Sequence, residues 1–145
     1  MQQDGAAEEK KTGGTGGAAP GEAGKFYPRG GGDTILLVIE AMLLQIIPLV
    51  AKFPRDHKFL LGDRLYSKLL DVQECCLRAY YSKDKRAHLI EANLLLENSR
   101  HLVRLSYKMR CLNLRGYEQC SRRIDELGRM VGGWLRSLAG KEVRP

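Results

Sequence analysis

From Tyr117 to Leu138, apolar residues recur at gaps that alternate between three and four without a break: Tyr117, Cys120, Ile124, Leu127, Val131, Trp134 and Leu138. This spacing puts all seven on one stripe of an α-helix and makes the stripe a packing seam. A strand cannot use the pattern, because its side chains alternate with a period of two. A chain with such a seam must supply further helices to cover it.

Three other segments meet that need. Leu61, Leu65, Leu69, Val72, Cys76 and Ala79 recur at steps of three or four and predict an amphipathic helix ending near Tyr81 and Ser82. Ser82, followed by Lys83-Asp84-Lys85, predicts the N-cap of a third helix running to about Cys111, with Leu89, Ala92, Leu96, Ser99, Val103 and Met109 inward. Asn113 suits the N-cap of the last helix and Gly140 its C-terminal cap. Upstream, Asp33-Thr34 offers N-cap chemistry before the apolar run Ile35 to Ala51, and Phe53-Pro54 ends that run.

The first helix reads as apolar on two faces. Ile35, Val38, Met42, Ile46 and Leu49 form one stripe, and Leu37, Leu44, Ile47 and Val50 another. Two apolar faces in a small domain predict that one of them meets another subunit. A membrane span is disfavoured, because the run has seventeen residues with Glu40 and Pro48 inside it, where about 20 apolar residues are needed. Pro48 removes one helical hydrogen bond and is expected to bend the helix.

Four helices joined by short connections predict an all-α fold, an up-down antiparallel four-helix bundle over residues 33–140. Residues 1–32 hold ten of the sixteen glycines in the chain. They read as a disordered Gly-rich tail, too poor in apolar surface to offset the entropy of ordering. Residues 141–145 read as a short basic C-terminal tail.

The charge is not spread evenly. The chain carries a formal +7, and residues 100–145 hold eleven basic against four acidic residues, nine of the eleven being arginine. A surplus this localised concerns partners more than fold. Beside the seam of the last helix stand Arg115, Arg122, Arg129 and Arg136, each seven residues from the next, with Arg123 and Lys141 nearby. Seven residues advance a helix by two turns less about 20°, so the four side chains leave nearly one face, roughly 10 Å apart along the axis. Arg100, Arg104 and Lys108 form a second row, at steps of four on the third helix.

Glu97, Glu118, Asp125 and Glu126 can pair with some of these bases but cannot neutralise both rows. Guanidinium forks match phosphate oxygens, so a polyanion-binding surface is the favoured reading and an acidic partner protein the alternative. Anionic lipid is disfavoured, because no exposed apolar stripe is readable beside the arginines.

Catalytic patterns are missing. The sequence has no GxSxG, P-loop, HExxH or paired Glu-x-x-His, so an enzyme is not expected and neither is a cofactor. Gly132-Gly133 reads as a close-packing point between helices. Cys75, Cys76, Cys111 and Cys120 show no CxxC spacing, and no readable signal sequence accompanies them. They read as small buried apolar residues in a reducing cytoplasm, and no cysteine or histidine pair has metal-ligand spacing.

Three segments carry a resemblance: IPLVAKFPRDHKFLLGDRL at 47–65, AYYSKDK at 79–85 and LGRMVGGWLR at 127–136. Together they resemble the accessory variability determinant (Avd) proteins of diversity-generating retroelements. Those proteins belong with bacterial four-helix bundles first named for ribosomal RNA intervening sequences. The resemblance covers about residues 34–138. It implies a non-catalytic, basic homopentamer that binds a reverse transcriptase and its structured template RNA, or possibly DNA, and supports mutagenic cDNA synthesis. It also implies that Arg100 and Arg104, in SRHLVR at 99–104, match the family's functional arginine pair. On this reading Arg100, Arg104, Lys108, Arg115, Arg122, Arg123, Arg129 and Arg136 form the surface for RNA or reverse transcriptase, with no membrane partner and a cytoplasmic location.

Overall fold

The structure is a computed structural model that describes residues 30–143. Four long helices make the bundle: α1 (Gly30–Ala51), α3 (Asp63–Tyr81), α4 (Arg86–Lys108) and α5 (Leu114–Val143). A short turn, α2 (Arg55–His57), and a π-helical turn at Lys58–Gly62 join α1 to α3. No strand occurs among the described residues. Helix α3 packs on α1 and α4, while α5 packs on α4 and α1. The four axes therefore stand at the corners of a square, with α1 diagonal to α4, in up-down order.

The core follows the predicted seams. Leu65, Leu69, Val72, Leu89, Leu96, Val103, Ile124, Leu127 and Val131 are fully buried, each worth about 1.5–3 kcal/mol relative to exposure. Ser99 and Ser106 are equally buried, and each hydroxyl donates to the carbonyl four residues back, Leu95 at 2.9 Å and Leu102 at 2.7 Å. That local bond satisfies the buried hydroxyl. Cys76 and Cys120 are buried, and burial pushes their thiols up to about 12 and about 11, which keeps both protonated and inert. Cys75 and Cys111, read as buried, are only half-buried, and all four cysteines are free.

Helix α1 differs most from expectation. Its inward set is Ile35, Leu36, Ile39, Met42, Leu43, Ile46 and Val50, whereas Leu37, Leu44 and Ile47 are exposed. Val50, placed in the second stripe, belongs to the core. By length and a mean hydropathy of 2.3, Thr34–Ala51 could cross a membrane, yet one side of it is the bundle core. The helix starts at Gly30, ahead of the expected Asp33-Thr34 cap, and continues through Pro48. Most of the predicted Gly-rich tail, residues 1–29, lies outside the described residues.

The connections show where local signals were outcompeted. Gly62 is buried, and a Cβ there would stand 2.9 Å from Val50 Cγ1; the π-turn brings the chain this close to the end of α1. Ser82, expected to cap the third helix, instead closes α3 in an extended conformation, and its hydroxyl accepts from the Asp84 N–H at 3.1 Å. Lys85 Nζ donates to the carbonyls of Ala79 (2.9 Å), Tyr80 (3.3 Å) and Ser82 (2.8 Å). An ammonium on these last carbonyls satisfies orphan acceptors at the negative end of the α3 dipole. The third long helix starts at Arg86 and stops at Lys108, so Met109, expected inward, is exposed. Asn113 caps α5 as expected, its Oδ1 accepting from the Gly116 N–H at 2.8 Å. Gly140 does not end α5, which runs to Val143.

Lys85→Met keeps the stem and removes the three charged hydrogen bonds. It should lower the unfolding free energy by about 1.5–3 kcal/mol, read as a drop in the urea midpoint with unchanged helicity.

Candidate functional site

Because α5 turns its seam into the bundle, a residue two positions past a seam residue lies roughly half a turn away, on the outward face. Arg122, Arg129 and Arg136 take that position, Arg115 stands two turns before Arg122 on the same face, and all four are exposed. Among the described residues, no carboxylate lies within ion-pairing distance of any of them. Their axial spacing, roughly 10 Å, is comparable with the screening length of about 8 Å at physiological salt. Mutual repulsion is therefore mild, and the row can persist without internal partners.

The other predicted bases divide. Arg100 is tied down: its Nε donates to Asp125 Oδ1 on α5 at 3.0 Å and its Nη1 to Glu97 Oε1 at 2.7 Å. Gly128 makes room for this, since a Cβ there would stand 2.6 Å from Arg100 Nη2. Arg123, expected beside the row, is engaged elsewhere. It turns toward α1, with its Nε on Gln45 Oε1 at 2.8 Å and its Nη1 on Glu126 Oε1 at 3.2 Å. Arg104 and Lys108 are exposed and, among the described residues, without an ion pair.

Helices α4 and α5 are neighbours, as the sequence predicts, but their rows do not merge into one plane. Arg100 and Arg104 line a groove of about 230 Å³ between the helices, together with Glu97, His101, Tyr117, Ser121 and Asp125. The α5 row stands outside that groove. Steps of four residues advance the α4 row by about 40° each, which carries Lys108 out of the groove to the α4–α5 turn. Gly132 and Gly133, expected at a close-packing point, have no atom of a neighbouring helix among the described residues within 4 Å of where a Cβ would stand. Among the described residues, the Arg136 guanidinium alone comes that close, at 3.5 and 3.8 Å.

Sequence reasoning missed the α4–α5 turn itself. Tyr107 and Tyr117 stack across it, with centroids 4.7 Å apart and planes inclined by 27°. The Arg110 N–H donates to the Tyr107 carbonyl and the Cys111 N–H to the Ser106 carbonyl, at 3.0 and 2.8 Å. This is a Schellman closure, whose left-handed residue is usually glycine. Here the position belongs to Arg110, with φ at 66°, at a cost of about 1–2 kcal/mol. A hint was present in the sequence: two tyrosines ten residues apart, bracketing a turn and three bases.

Among the described residues no group of three or more His, Cys, Asp or Glu is gathered as a metal site. What the geometry offers is a row of unpaired guanidinium groups, a groove with a restrained one, and an aromatic turn. Asp125→Asn cuts the α4–α5 ion pair. Because both partners keep water contact, the expected change in a urea titration is no more than about 1 kcal/mol.

No curated protein and no solved structure matches the chain. A family profile does match, that of the bAvd-like family, over residues 35–138, from the start of the α1 seam to the last seam residue of α5. The resemblance to Avd proteins and this match agree, and the chain belongs to the bAvd-like family.

Proposed function

We propose that this protein is a non-catalytic accessory factor that binds the reverse transcriptase and template RNA of a diversity-generating retroelement and supports mutagenic cDNA synthesis. The observation that carries this reading is the unpaired row Arg115, Arg122, Arg129 and Arg136 on the outward face of α5. Such a row suits a phosphate backbone, where each contact releases condensed counterions and positions the nucleic acid without reading its sequence. Membership of the bAvd-like family supports the reverse transcriptase and its RNA as the partners.

A ring of identical subunits, a pentamer by resemblance, completes the proposal. A closed ring built from head-to-tail contacts needs two different patches on each chain. Leu37, Leu44 and Ile47 are exposed on α1, and Ile90 and Leu94 are exposed on α4, the diagonal helix. Helix α5 packs on both α1 and α4. Ring closure through the two patches would repeat the α5 row around one side of the assembly and turn weak sites into avidity.

The second reading, an adaptor for an acidic protein, draws on Arg100, which already donates to two carboxylates. A gel-shift with a 20-nucleotide RNA at physiological salt separates the two. Arg122→Ala combined with Arg129→Ala should weaken binding about tenfold or more, with unchanged circular dichroism. Arg100→Ala with Arg104→Ala should also weaken RNA or polymerase binding. Parent-like RNA binding by both double variants would refute the proposal.

A further inference from the structure

The α4–α5 turn combines three features that the phosphate row does not explain. Tyr107 is exposed over about a third of its surface and is braced from one side by Tyr117, which is itself packed against the core. A hollow of about 470 Å³ opens beside it, lined by Tyr107, Lys108, Arg110, Leu112 and Asn113. Arg110 occupies the left-handed position where glycine closes the turn without strain. A left-handed arginine lining the same hollow as an exposed aromatic ring points to a ligand.

The chemistry narrows that ligand. A tyrosine ring held by a second ring offers a flat, pre-ordered surface, and every nucleobase has a matching π-face. Lys108 and Arg110 stand on the same turn, where they can meet the phosphates on either side of such a base. In a duplex the base faces are covered by their neighbours, so only an unpaired nucleotide can use the ring. Asn113 is excluded from recognition through its Oδ1, which is engaged in capping α5.

We propose that the α4–α5 turn is a stacking site for an unpaired nucleobase of the bound RNA, with Tyr107 as the platform and Lys108 and Arg110 on the flanking phosphates. The proposal rests on the RNA binding put forward above and adds to it a preference for single-stranded segments. The α5 row would hold any polyanion, whereas the turn distinguishes single strand from duplex.

The test uses the full chain and fluorescence anisotropy at one salt concentration, with a labelled 20-nucleotide single-stranded RNA and a blunt 20-base-pair RNA duplex. Tyr107→Ala should weaken single-strand binding about fivefold to a hundredfold, with less than a twofold effect on the duplex. Tyr107→Phe keeps the ring and should bind like the parent. Arg110→Gly gives a readout that a structural role cannot mimic, because it should raise the urea midpoint while weakening single-strand binding. Parent-like binding by Tyr107→Ala, or an equal loss on both RNAs, overturns the stacking site and leaves RNA binding intact. A parent that binds neither RNA overturns the RNA reading and this proposal with it.

Discussion

Burial of the α5 seam is the constraint on which the rest of the molecule depends. Cys120, Ile124, Leu127 and Val131 are fully buried, so the helix has one permitted rotation about its axis. That rotation sends Arg115, Arg122, Arg129 and Arg136 away from the core and keeps them out of reach of carboxylates on neighbouring helices. Apolar burial thus does more than stabilise the bundle, because it also aims the charge. Arg100 and Arg123, set at other angles on their helices, have carboxylates within reach instead.

The difference between a free and an engaged arginine is the main thing that separates the structure from the charge count. Arg100 spans α4 and α5 through Asp125, and Arg123 reaches α1 through Gln45. Each brings two helices together, so each has a structural task besides any functional one. A phosphate must displace carboxylates to reach Arg100, whereas at Arg122 or Arg129 it displaces only water and counterions. The groove and the outward row therefore differ in what a polyanion would have to displace, although both are built from the same residue type.

Most of the bundle was legible because three of its helices are half polar. In α3, α4 and α5 the period of the apolar residues marks the inner face, and the predicted residues from Leu61 to Leu138 are at least half-buried, apart from Met109. Helix α1 was ambiguous for the opposite reason. It is apolar all round, so periodicity could not show that Leu36, Ile39 and Leu43 turn inward while Leu44 turns out. The turns depended on competition between local bonds. Ser82 had the chemistry of a cap, but the chain around it closes on Lys85, and no helix-forming signal in the sequence encodes that ammonium. The Arg115 to Arg136 row was legible from its heptad spacing. The tyrosine stack was not, because its two rings meet only once α4 and α5 are folded against each other.

The central claim is that exposed, unpaired arginines of α5 bind a phosphate backbone. Its most direct test is the salt dependence of RNA binding, measured as the dissociation constant of a single-stranded RNA between about 50 and 300 mM salt. Each phosphate contact on a single strand contributes a slope of about −0.7 in log affinity against log salt. Engagement of the four-arginine row predicts about −3 or steeper for the parent, and a slope shallower by about 1.4 once Arg122 and Arg129 are both alanine. A flat response, or one that the double substitution leaves unchanged, would contradict the account.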